Sequence, residues 1–347
     1  MSQHPKALSL ISGGLDSLLA TKVVLDQGVR VEGINFFTGF CVEGHTRAIR
    51  KKDRARPKRN DALWVAEQLG IKLHIVDIVD EYKDVVFNPK YGYGANLNPC
   101  LDCKIFMLRK AREWIAAEGF DFVVTGEVVG QRPKSQRKDT MPLVQRASGI
   151  EDRLLRPLCA HRLPETLPER ECWVDRSRLH GFTGRSRKPQ MALAAQYGFE
   201  DYAQPAGGCC FLTDANYTVK LKDLWQARGD RRYELDDIML LKVGRHIRPA
   251  PHYKIIVARE RGEGNFLSGY RKLYPSLKTT SCGGPLALLD GSPSDADIEL
   301  AARIVARYSQ GKREEAVELE YRDCKGEASS VRIVPLDPDD LPDDWLL

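Results

Sequence analysis

The sequence predicts an α/β protein in which a doubly wound parallel-sheet domain is followed by a smaller C-terminal α+β domain. Over residues 1–130, short apolar runs alternate with segments of helical spacing, which is the pattern of parallel strands covered by helices. The length of 347 residues also exceeds what a single core usually supports. We therefore expect two domains, at residues 1–215 and 216–347.

The first domain is predicted to run β-α-β-α-β-α-β, a nucleotide-binding layout. The strands are expected at residues 6–11, 29–36, 72–78 and 121–125, and the helices at residues 15–27, 61–69 and 101–117. Gly28 and Gly70 follow the first two helices, as is usual for residues that end a helix. Two segments, around residues 40–60 and 88–99, interrupt the pattern as loops.

The rest of the chain is less regular. Residues 126–188 are polar and rich in Arg and Pro, which predicts mostly loop with short helices, and residues 189–197 form a helix with Pro in its first turn. Strong turn signals at residues 204–208 place the domain boundary just after them, near Ala215. Beyond it, β-like runs at 254–258 and 331–334 and a helix at 295–308 indicate a small α+β domain.

The composition excludes several classes of protein. No apolar run is long enough to span a membrane, and the first residues lack a secretory pattern, so we expect a cytoplasmic protein with no membrane partner. In such a reducing compartment, the nine cysteines are expected to be core residues, metal ligands or catalytic thiols rather than a disulfide framework.

The first predicted strand leads directly into Ser12-Gly13-Gly14-Leu15-Asp16-Ser17, and a helix follows. Two glycines let the backbone approach an anion, the first helical N–H groups point towards it, and both serines add hydroxyl donors. The spacing is neither a Walker A loop nor a dinucleotide fingerprint. The segment therefore predicts a phosphate site, where Asp16 either helps to hold Mg²⁺ or caps the helix.

A cysteine pair, Cys100 and Cys103, opens the long helix predicted at 101–117, and a helix N-terminus lowers thiol pKa. Further ligands must come from elsewhere, and the candidates are Cys209, Cys210, Cys159 and Cys172, the last two flanking His161. Four ligands would make a zinc site, three thiolates would suit a [4Fe–4S] cluster, and a persulfide and disulfide relay is the third reading. Cys41, Cys282 and Cys324 are interpreted as structural.

Basic side chains form two groups in loops that follow strands. Residues 47–59 hold eight Lys or Arg and one acid, and a second group lies at residues 132–138. Both fall on the loop side of one sheet, so we interpret them as contacts to RNA phosphates rather than as a solvated surface. The RNA-binding candidates are Arg50, Lys51, Lys52, Arg54, Lys58, Arg59, Lys134, Arg137 and Lys138.

The loop at residues 12–17 resembles the S-G-G-x-D-S pyrophosphate loop (PP-loop) of ATP pyrophosphatases, which have the adenine nucleotide α-hydrolase-like fold. Residues 125–131 read T-G-E-V-V-G-Q and are followed by Ser135-Gln136, which resembles the T-G-E-x-x-G-Q…S-Q segment of tRNA 4-thiouridine synthetases. Residues 103–111 and the L-R-P-L at residues 155–158 are also similar to that family. Cys209 and Cys210 fall where it carries a catalytic cysteine, and the resemblance covers residues 6–212.

The resemblance implies an ATP-dependent tRNA sulfurtransferase of the iron–sulfur-dependent type. Such an enzyme adenylates a uridine carbonyl oxygen, releases pyrophosphate and replaces the oxygen with sulfur, here to form 4-thiouridine. It implies ATP, Mg²⁺ and a [4Fe–4S] cluster, with zinc or a persulfide relay as alternatives. The partners would be tRNA and either inorganic sulfide or a sulfur donor derived from a cysteine desulfurase, and a homodimer is left open.

The resemblance also implies roles for the residues of this chain that match the motifs of the family. Ser12, Gly13, Gly14, Asp16 and Ser17 would bind the pyrophosphate, with Asp16 near Mg²⁺, and Gly126, Glu127 and Gln131 would line the adenine and α-phosphate side. The cluster ligands and catalytic thiols would be Cys100, Cys103 and Cys209. Cys209 is preferred over Cys210 because it directly follows two glycines.

The chain also departs from that family. We expect neither its RNA-binding domain before the PP-loop nor a rhodanese-like sulfur carrier after it, while N-P-C-x-x-C also occurs in 2-thiouridine enzymes. Segments around residues 243–245 and 255–259 resemble an RNA-binding domain of ribosome-rescue proteins. The alternatives are therefore 2-thiouridine synthesis at another tRNA position, a PP-loop ligase or amidase acting on a small molecule, and an RNA-binding protein without activity.

Overall fold

The structure is a computed structural model that describes residues 4–42, 59–202 and 210–347. These residues divide into two compact units, of which the first ends at Thr213 and the second begins at Asp214. The sequence-based boundary near Ala215 lies within two residues of that division.

A five-stranded parallel sheet forms the centre of the first unit, with strand order β3-β2-β1-β4-β5. Its strands are β1 (Lys6–Leu10), β2 (Arg30–Phe37), β3 (Leu73–Asp77), β4 (Phe122–Val124) and β5 (Leu154–Leu155). The order reverses between β1 and β4, and the crevice beyond the carboxyl ends of such a strand pair is where open α/β sheets bind ligands. The predicted doubly wound fold is confirmed.

Helices cover both faces of this sheet. They are α1 (Leu15–Leu25), α2 (Asp61–Leu69), α3 (Val79–Phe87), α4 (Cys100–Glu118), α5 (Thr140–Ser148), α6 (Leu167–Arg170) and α7 (Lys188–Gln196). Successive strand residues point to opposite faces, so Phe122 and Val124 join the core beneath α1 and α7, whereas Val123 joins the core beneath α4 and α5. Burial on both faces explains why these strands read as continuous apolar runs.

Four elements of the first unit had no predicted bounds. Helix α3 follows β3 within two residues, α5 and α6 lie in the segment predicted as mostly loop with short helices, and β5 has only two residues. A two-residue strand has no periodicity to detect, and the pairing of Leu154 with Val123 fixes it instead.

The second unit is built on a six-stranded antiparallel sheet of order β11-β10-β8-β9-β7-β6. Its strands are β6 (Arg245–Ala250), β7 (Tyr253–Val257), β8 (Ser276–Thr279), β9 (Leu286–Gly291), β10 (Val317–Arg322) and β11 (Ala328–Ile333). Its helices are α8 (Ala215–Arg228), α9 (Leu235–Leu240), α10 (Arg261–Ser268) and α11 (Asp295–Arg307). The α+β class is confirmed, while β6, β8, β9, β10 and three of these helices went unpredicted.

Candidate functional site

The phosphate loop lies between the end of β1 and the start of α1. Gly13 has φ +80°, a left-handed conformation that favours glycine, and the Ser17 hydroxyl donates to the Gly14 carbonyl at 2.8 Å. Ser17 Oγ also accepts from the backbone N–H of Ser12 at 3.3 Å. No side chain of the described residues caps the N-terminus of α1, so its first N–H groups are available to bind an anion.

The loop after β4 contacts the phosphate loop most closely at Gly126. A Cβ at Gly126 would lie 2.5 Å from both the carbonyl carbon and oxygen of Asp16, and 2.6 Å from the Ser17 nitrogen. Only a residue without a side chain fits, so the two predicted halves of the nucleotide site, residues 12–17 and 126–131, lie in direct contact. They meet where the strand order of the sheet reverses.

Asp16 is held by residues from two other segments. Gln131 Nε2 donates to Asp16 Oδ2 at 2.6 Å, and Gln131 Oε1 accepts from Nε2 of the fully buried Gln190 at 3.0 Å. Arg187 Nη2 lies 3.5 Å from the same Asp16 oxygen. The other oxygen, Oδ1, is buried and has no hydrogen-bond partner in the part of the chain described. Gln190 of helix α7 and Arg187, which directly precedes that helix, are thus added to the site, and the sequence did not reveal either as a site residue.

Glu127 is a buried anion. Its Oε2 accepts from Arg156 Nε at 3.0 Å and from the Thr125 hydroxyl at 3.1 Å, and Lys104 Nζ lies 3.5 Å from Oε1. Burial alone would raise the pKa of this carboxyl, but Lys104 and Arg156 outweigh it and lower the pKa to about 2. Glu127 therefore forms a structural ion pair with Arg156, and its contact with Lys104 links helix α4 to the loop after β4.

Cys100 and Cys103 lie in the first turns of α4, as the sequence predicts. The side chain of Asp102 accepts from the backbone N–H of Lys90 at 2.9 Å and of Tyr91 at 3.0 Å, so it fastens the preceding loop to this helix. Both cysteines are half-buried thiols.

The hydroxyl of the buried Tyr82 in α3 interacts with three thiols. Burial raises the pKa of Tyr82 well above its usual value, and the neighbouring Cys103, Cys210 and Cys41 raise it further. The hydroxyl stays protonated and is hydrogen-bonded to the Cys103 side chain. Cys41 and Cys210 face each other across an isolated antiparallel bridge. The sequence analysis preferred Cys209 to Cys210 and interpreted Cys41 as structural. In the structure, both Cys210 and Cys41 act on Tyr82 together with Cys103.

The predicted third ligand, Cys209, lies outside the described residues. Among residues 4–42, 59–202 and 210–347, no group of three or more His, Cys, Asp or Glu is arranged to hold a metal ion. The two alternative cysteine ligands differ in their surroundings, since Cys172 is exposed and Cys159 is buried. The Cys159 thiol donates to the Glu127 carbonyl at 3.1 Å, and burial raises its pKa to about 11. Cys159 is therefore a packed, protonated thiol.

The predicted RNA-binding residues divide by location. Arg50, Lys51, Lys52, Arg54 and Lys58 lie outside the described residues. Arg59 is engaged within the first unit, where its guanidinium pairs with Asp201 through two hydrogen bonds and stacks on Trp64 at 4.1 Å. Lys134 is half-buried and donates to the Gly92 carbonyl at 3.4 Å, while Arg137 and Lys138 are exposed, Arg137 pairing with Asp139.

Two family models match parts of the chain. The tRNA methyl transferase HUP domain matches residues 5–150, and the NFACT protein RNA binding domain matches residues 244–346. The first covers the parallel sheet through β4 with its phosphate loop and cysteine pair, and the second covers all six strands of the antiparallel sheet. Most of the first unit is thus similar to a tRNA methyl transferase HUP domain, and most of the second to an NFACT protein RNA binding domain.

Curated relatives match parts of the chain. A tRNA-specific 2-thiouridylase MnmA from Marinobacter nauticus is 27% identical over 233 residues, which is 65% of this chain and 55% of that protein. Another from Stutzerimonas stutzeri is 31% identical over 135 residues, or 38% of this chain and 35% of that protein. The chain thus spans about half the length of the first of these relatives.

A solved structure also matches in part. The crystal structure of a 4-thiouridine synthetase–RNA complex with bound ATP has 25% sequence identity and a TM-score of 0.34, covering 44% of this chain and 36% of that one. At this TM-score the match carries no conclusion about function. In the described part of the chain, no helix combines the length and apolar character needed to cross a membrane.

Proposed function

We propose that this chain is an ATP-dependent sulfurtransferase that acts on a uridine of tRNA. One observation supports this above the others: β1 and β2 are neighbouring parallel strands, and the phosphate loop follows β1 while Cys41 follows β2. The carboxyl ends of both strands share one edge of the sheet, so a phosphate site and the thiols around Tyr82 belong to the same edge. Activation of a carbonyl oxygen and its replacement by sulfur require both.

The nucleotide half of the site would bind ATP through its backbone. The first N–H groups of α1, with the hydroxyls of Ser12 and Ser17, would hold the leaving pyrophosphate. The unpartnered Oδ1 of Asp16 fits a Mg²⁺ ligand, because a buried carboxylate oxygen otherwise remains unsatisfied. Bound Mg²⁺ would neutralise phosphate charge. Gln131, fixed by Gln190, keeps Asp16 in position.

The thiol half would carry the sulfur. We propose Cys210 as the sulfur carrier, because Cys210 and Cys103 both raise the pKa of the buried Tyr82 hydroxyl, and Leu212 N–H donates to the Cys210 sulfur at 3.4 Å. Tyr82 and the start of α4 would stabilise negative charge on Cys103. The [4Fe–4S] cluster on Cys100, Cys103 and Cys209 stays a prediction. The described residues alone provide no set of three ligands for a metal, so we assign no step to a cluster.

Two ring positions compete. The curated relatives are named 2-thiouridylases, which favours carbon 2 of the uridine. The resemblance at residues 125–136 favours carbon 4. Because the relatives match a longer part of the chain than that motif does, we propose carbon 2. The second unit would supply RNA contacts, since its family model describes an RNA-binding domain.

The proposed function is tested by anaerobic incubation of the full chain with ATP, Mg²⁺, unmodified tRNA and a sulfur source. Inorganic sulfide and inorganic polysulfide are used in parallel, and nucleoside mass spectrometry maps the product. We expect 2-thiouridine, together with AMP and pyrophosphate formed only when tRNA is present. Cys210→Ser should form no thiouridine, whereas Cys324→Ser, which removes an exposed cysteine, should match the wild type.

The other outcomes separate the alternatives. Sulfur at carbon 4 would keep the chemistry and correct the position. Pyrophosphate release that does not depend on tRNA would point to a ligase acting on a small molecule. Iron and acid-labile sulfide on the purified protein, lost in Cys100→Ser and Cys103→Ser, would favour the cluster over a persulfide. No thiouridine and no tRNA-dependent pyrophosphate release would refute the proposal.

A further inference from the structure

Two guanidinium groups of the second unit lie beside the same aromatic ring. Cζ of Arg245, at the start of β6, lies 4.8 Å from the ring centroid of Tyr308, and Cζ of Arg307 lies 5.7 Å from it. Both distances fall within the range of about 6 Å over which an aromatic ring attracts a cation. Two positive charges are thus held around one ring.

Tyr308 occupies a fixed position between these charges. It directly follows the last residue of α11, and its side chain packs against the core of the antiparallel-sheet unit. An arginine that stacks on such a ring uses the flat face of its guanidinium, whereas its N–H donors lie in the guanidinium plane. The ring therefore positions the charges without taking up their hydrogen bonds.

The donors of these arginines lack acceptors. Arg307 Nε and Nη1 are buried and have no hydrogen-bond partner in the part of the chain that the structure describes. Arg245 is exposed, and its guanidinium pairs with no carboxylate of residues 214–347 that is described. The same holds for Arg303, one helical turn before Arg307, although like charges at this spacing repel each other.

The helix dipole accounts for only part of this arrangement. Arg307 lies in the last turn of α11, where a positive charge is favourable. That role does not involve Arg245, which belongs to a strand, and it gives the buried nitrogens of Arg307 no acceptor. Because a buried donor without an acceptor costs free energy, an anionic ligand at this position would stabilise the arrangement.

We propose that Arg245, Arg307 and Tyr308 form a site that binds a phosphate of the tRNA backbone. This inference rests on the proposed function and names the surface through which the second unit contacts RNA. A guanidinium binds phosphate through two parallel N–H···O bonds. Arg307 is half-buried on a long side chain, so a small rotation presents its unpaired nitrogens to the ligand.

A phosphate within an RNA strand fits this surface better than a free phosphate ion. All three residues fall within residues 244–346, which match the NFACT protein RNA binding domain. Arg303 adds a further positive charge one turn along α11, where the next phosphate of a strand could bind. A single phosphate ion would leave that charge unpaired.

The test measures binding of an unmodified tRNA transcript to the full chain at several salt concentrations. Arg245→Ala and Arg307→Ala should each raise the Kd roughly fivefold at low salt, because each removes a charged phosphate contact. The plot of log affinity against log salt concentration should become less steep by about one in each variant. Fluorescence anisotropy with labelled tRNA gives both quantities.

Arg332→Ala is the matched control. Arg332 is exposed on β11, at the opposite edge of the sheet from β6, and lies across from Glu318. Its removal should change neither the Kd nor the salt dependence. Unchanged binding in both Arg245→Ala and Arg307→Ala, or an equal loss in Arg332→Ala, would overturn the inference. If Arg307→Ala misfolds, as judged by circular dichroism, the exposed Arg245 decides.

Inorganic phosphate distinguishes the two sources of the anion. Isothermal titration of the wild type with inorganic phosphate should show no saturable binding that depends on Arg245. Saturable binding that is lost in Arg245→Ala, with the tRNA affinity of that variant unchanged, would identify a site for the free ion and contradict the inference.

Turnover separates failure of this inference from failure of the proposed function. Both variants should raise the KM for tRNA and leave kcat unchanged, since neither residue belongs to the nucleotide loop or the thiol group. If the wild type makes no thiouridine, the proposed function is refuted, while the binding comparison still tests the phosphate site. If thiouridine forms and both variants bind tRNA as the wild type does, only the inference falls.

Discussion

Glu127 belongs to a buried cluster of charged side chains beside the nucleotide site. Its carboxylate is 2% exposed and lies between Lys104 and Arg156, and Arg156 is itself 4% exposed. A buried carboxylate with two cations is costly to disturb, because removing one charge leaves the others without compensation. The residue lies within T-G-E-x-x-G-Q, so a motif taken as a ligand contact also carries a structural ion pair.

Glu127→Gln should destabilise the first unit by about 3 kcal/mol, because Arg156 would remain buried without its anion. The pKa of Glu127 is lowered from 4.5 to about 2, so its contribution is fully present above pH 4.5 and is lost as the pH falls towards 2. Chemical denaturation at several pH values measures this. The difference between wild type and variant should shrink across that window.

The exposed Glu165 provides the matched control for this measurement. It lies 3.9 Å from Arg176 with 57% of its side chain exposed, so Glu165→Gln should change stability by no more than about 0.5 kcal/mol at any pH. A loss in Glu127→Gln no larger than in this control would contradict the buried ion pair.

Sequence reasoning worked best for residues whose role is local. Gly13 and Ser17 sit in a strand–turn–helix segment whose function depends on near neighbours, and the structure places them as expected. Tyr82, Gln190 and Cys41 acquire their surroundings from segments distant in sequence. No local sequence pattern indicates contacts between such distant segments. The preference for Cys209 over Cys210 therefore depended only on the two glycines that precede Cys209.

At the level of elements, the contact between the loop after β4 and the start of α1 sets the shape of the nucleotide site. Gly126 permits it, because any Cβ would collide with the Asp16 carbonyl at 2.5 Å. The collision is with backbone, which cannot rotate away as a side chain can. The segment that would move is the one that presents Asp16 and Ser17.

Gly126→Ala should therefore weaken ATP binding. Overpacking of this kind costs about 1–3 kcal/mol, and expulsion of the phosphate loop should raise the Kd for ATP roughly tenfold. Isothermal titration with ATP and Mg²⁺ measures it. Gly264→Ala is the control, since its Cβ would meet nothing closer than 3.9 Å in helix α10. Equal affinities in the two variants would argue against this site.

Long, periodic elements were predicted within a few residues of their ends, as for β1, α1, α2 and α4. The short ones were missed because packing specifies them more than sequence does. In the second unit, β10 was missed because it reads V-E-L-E-Y-R and lacks the continuous apolar run that marks a fully buried strand.

At the scale of the whole molecule, each unit has a hydrophobic core of its own. Leu18 belongs to the core of the parallel-sheet unit and Leu289 to that of the antiparallel unit, and both are fully buried. Separate cores make separate unfolding the expectation. A ligand that binds one native unit should then stabilise that unit alone.

Calorimetry should resolve two unfolding transitions. ATP with Mg²⁺ at 100 times its Kd should stabilise one of them by about 2.7 kcal/mol and leave the other unchanged. Leu18→Ala should lower the transition that responds to ATP, and Leu289→Ala the one that does not, each by about 2–5 kcal/mol. A single transition that responds as a whole to ATP and to both substitutions would contradict independent units.

The central position of β1 has a consequence for how the chain folds as it is made. Ala7 pairs with Val31 on one side and with Phe122 on the other. The second edge of the strand that precedes the phosphate loop therefore has no native neighbour until residues 122–124 have been synthesised. Pairing across so long a stretch of chain is slow. Nascent chains that end before β4 should accordingly present an open β edge, which ribosome-bound protease protection would reveal.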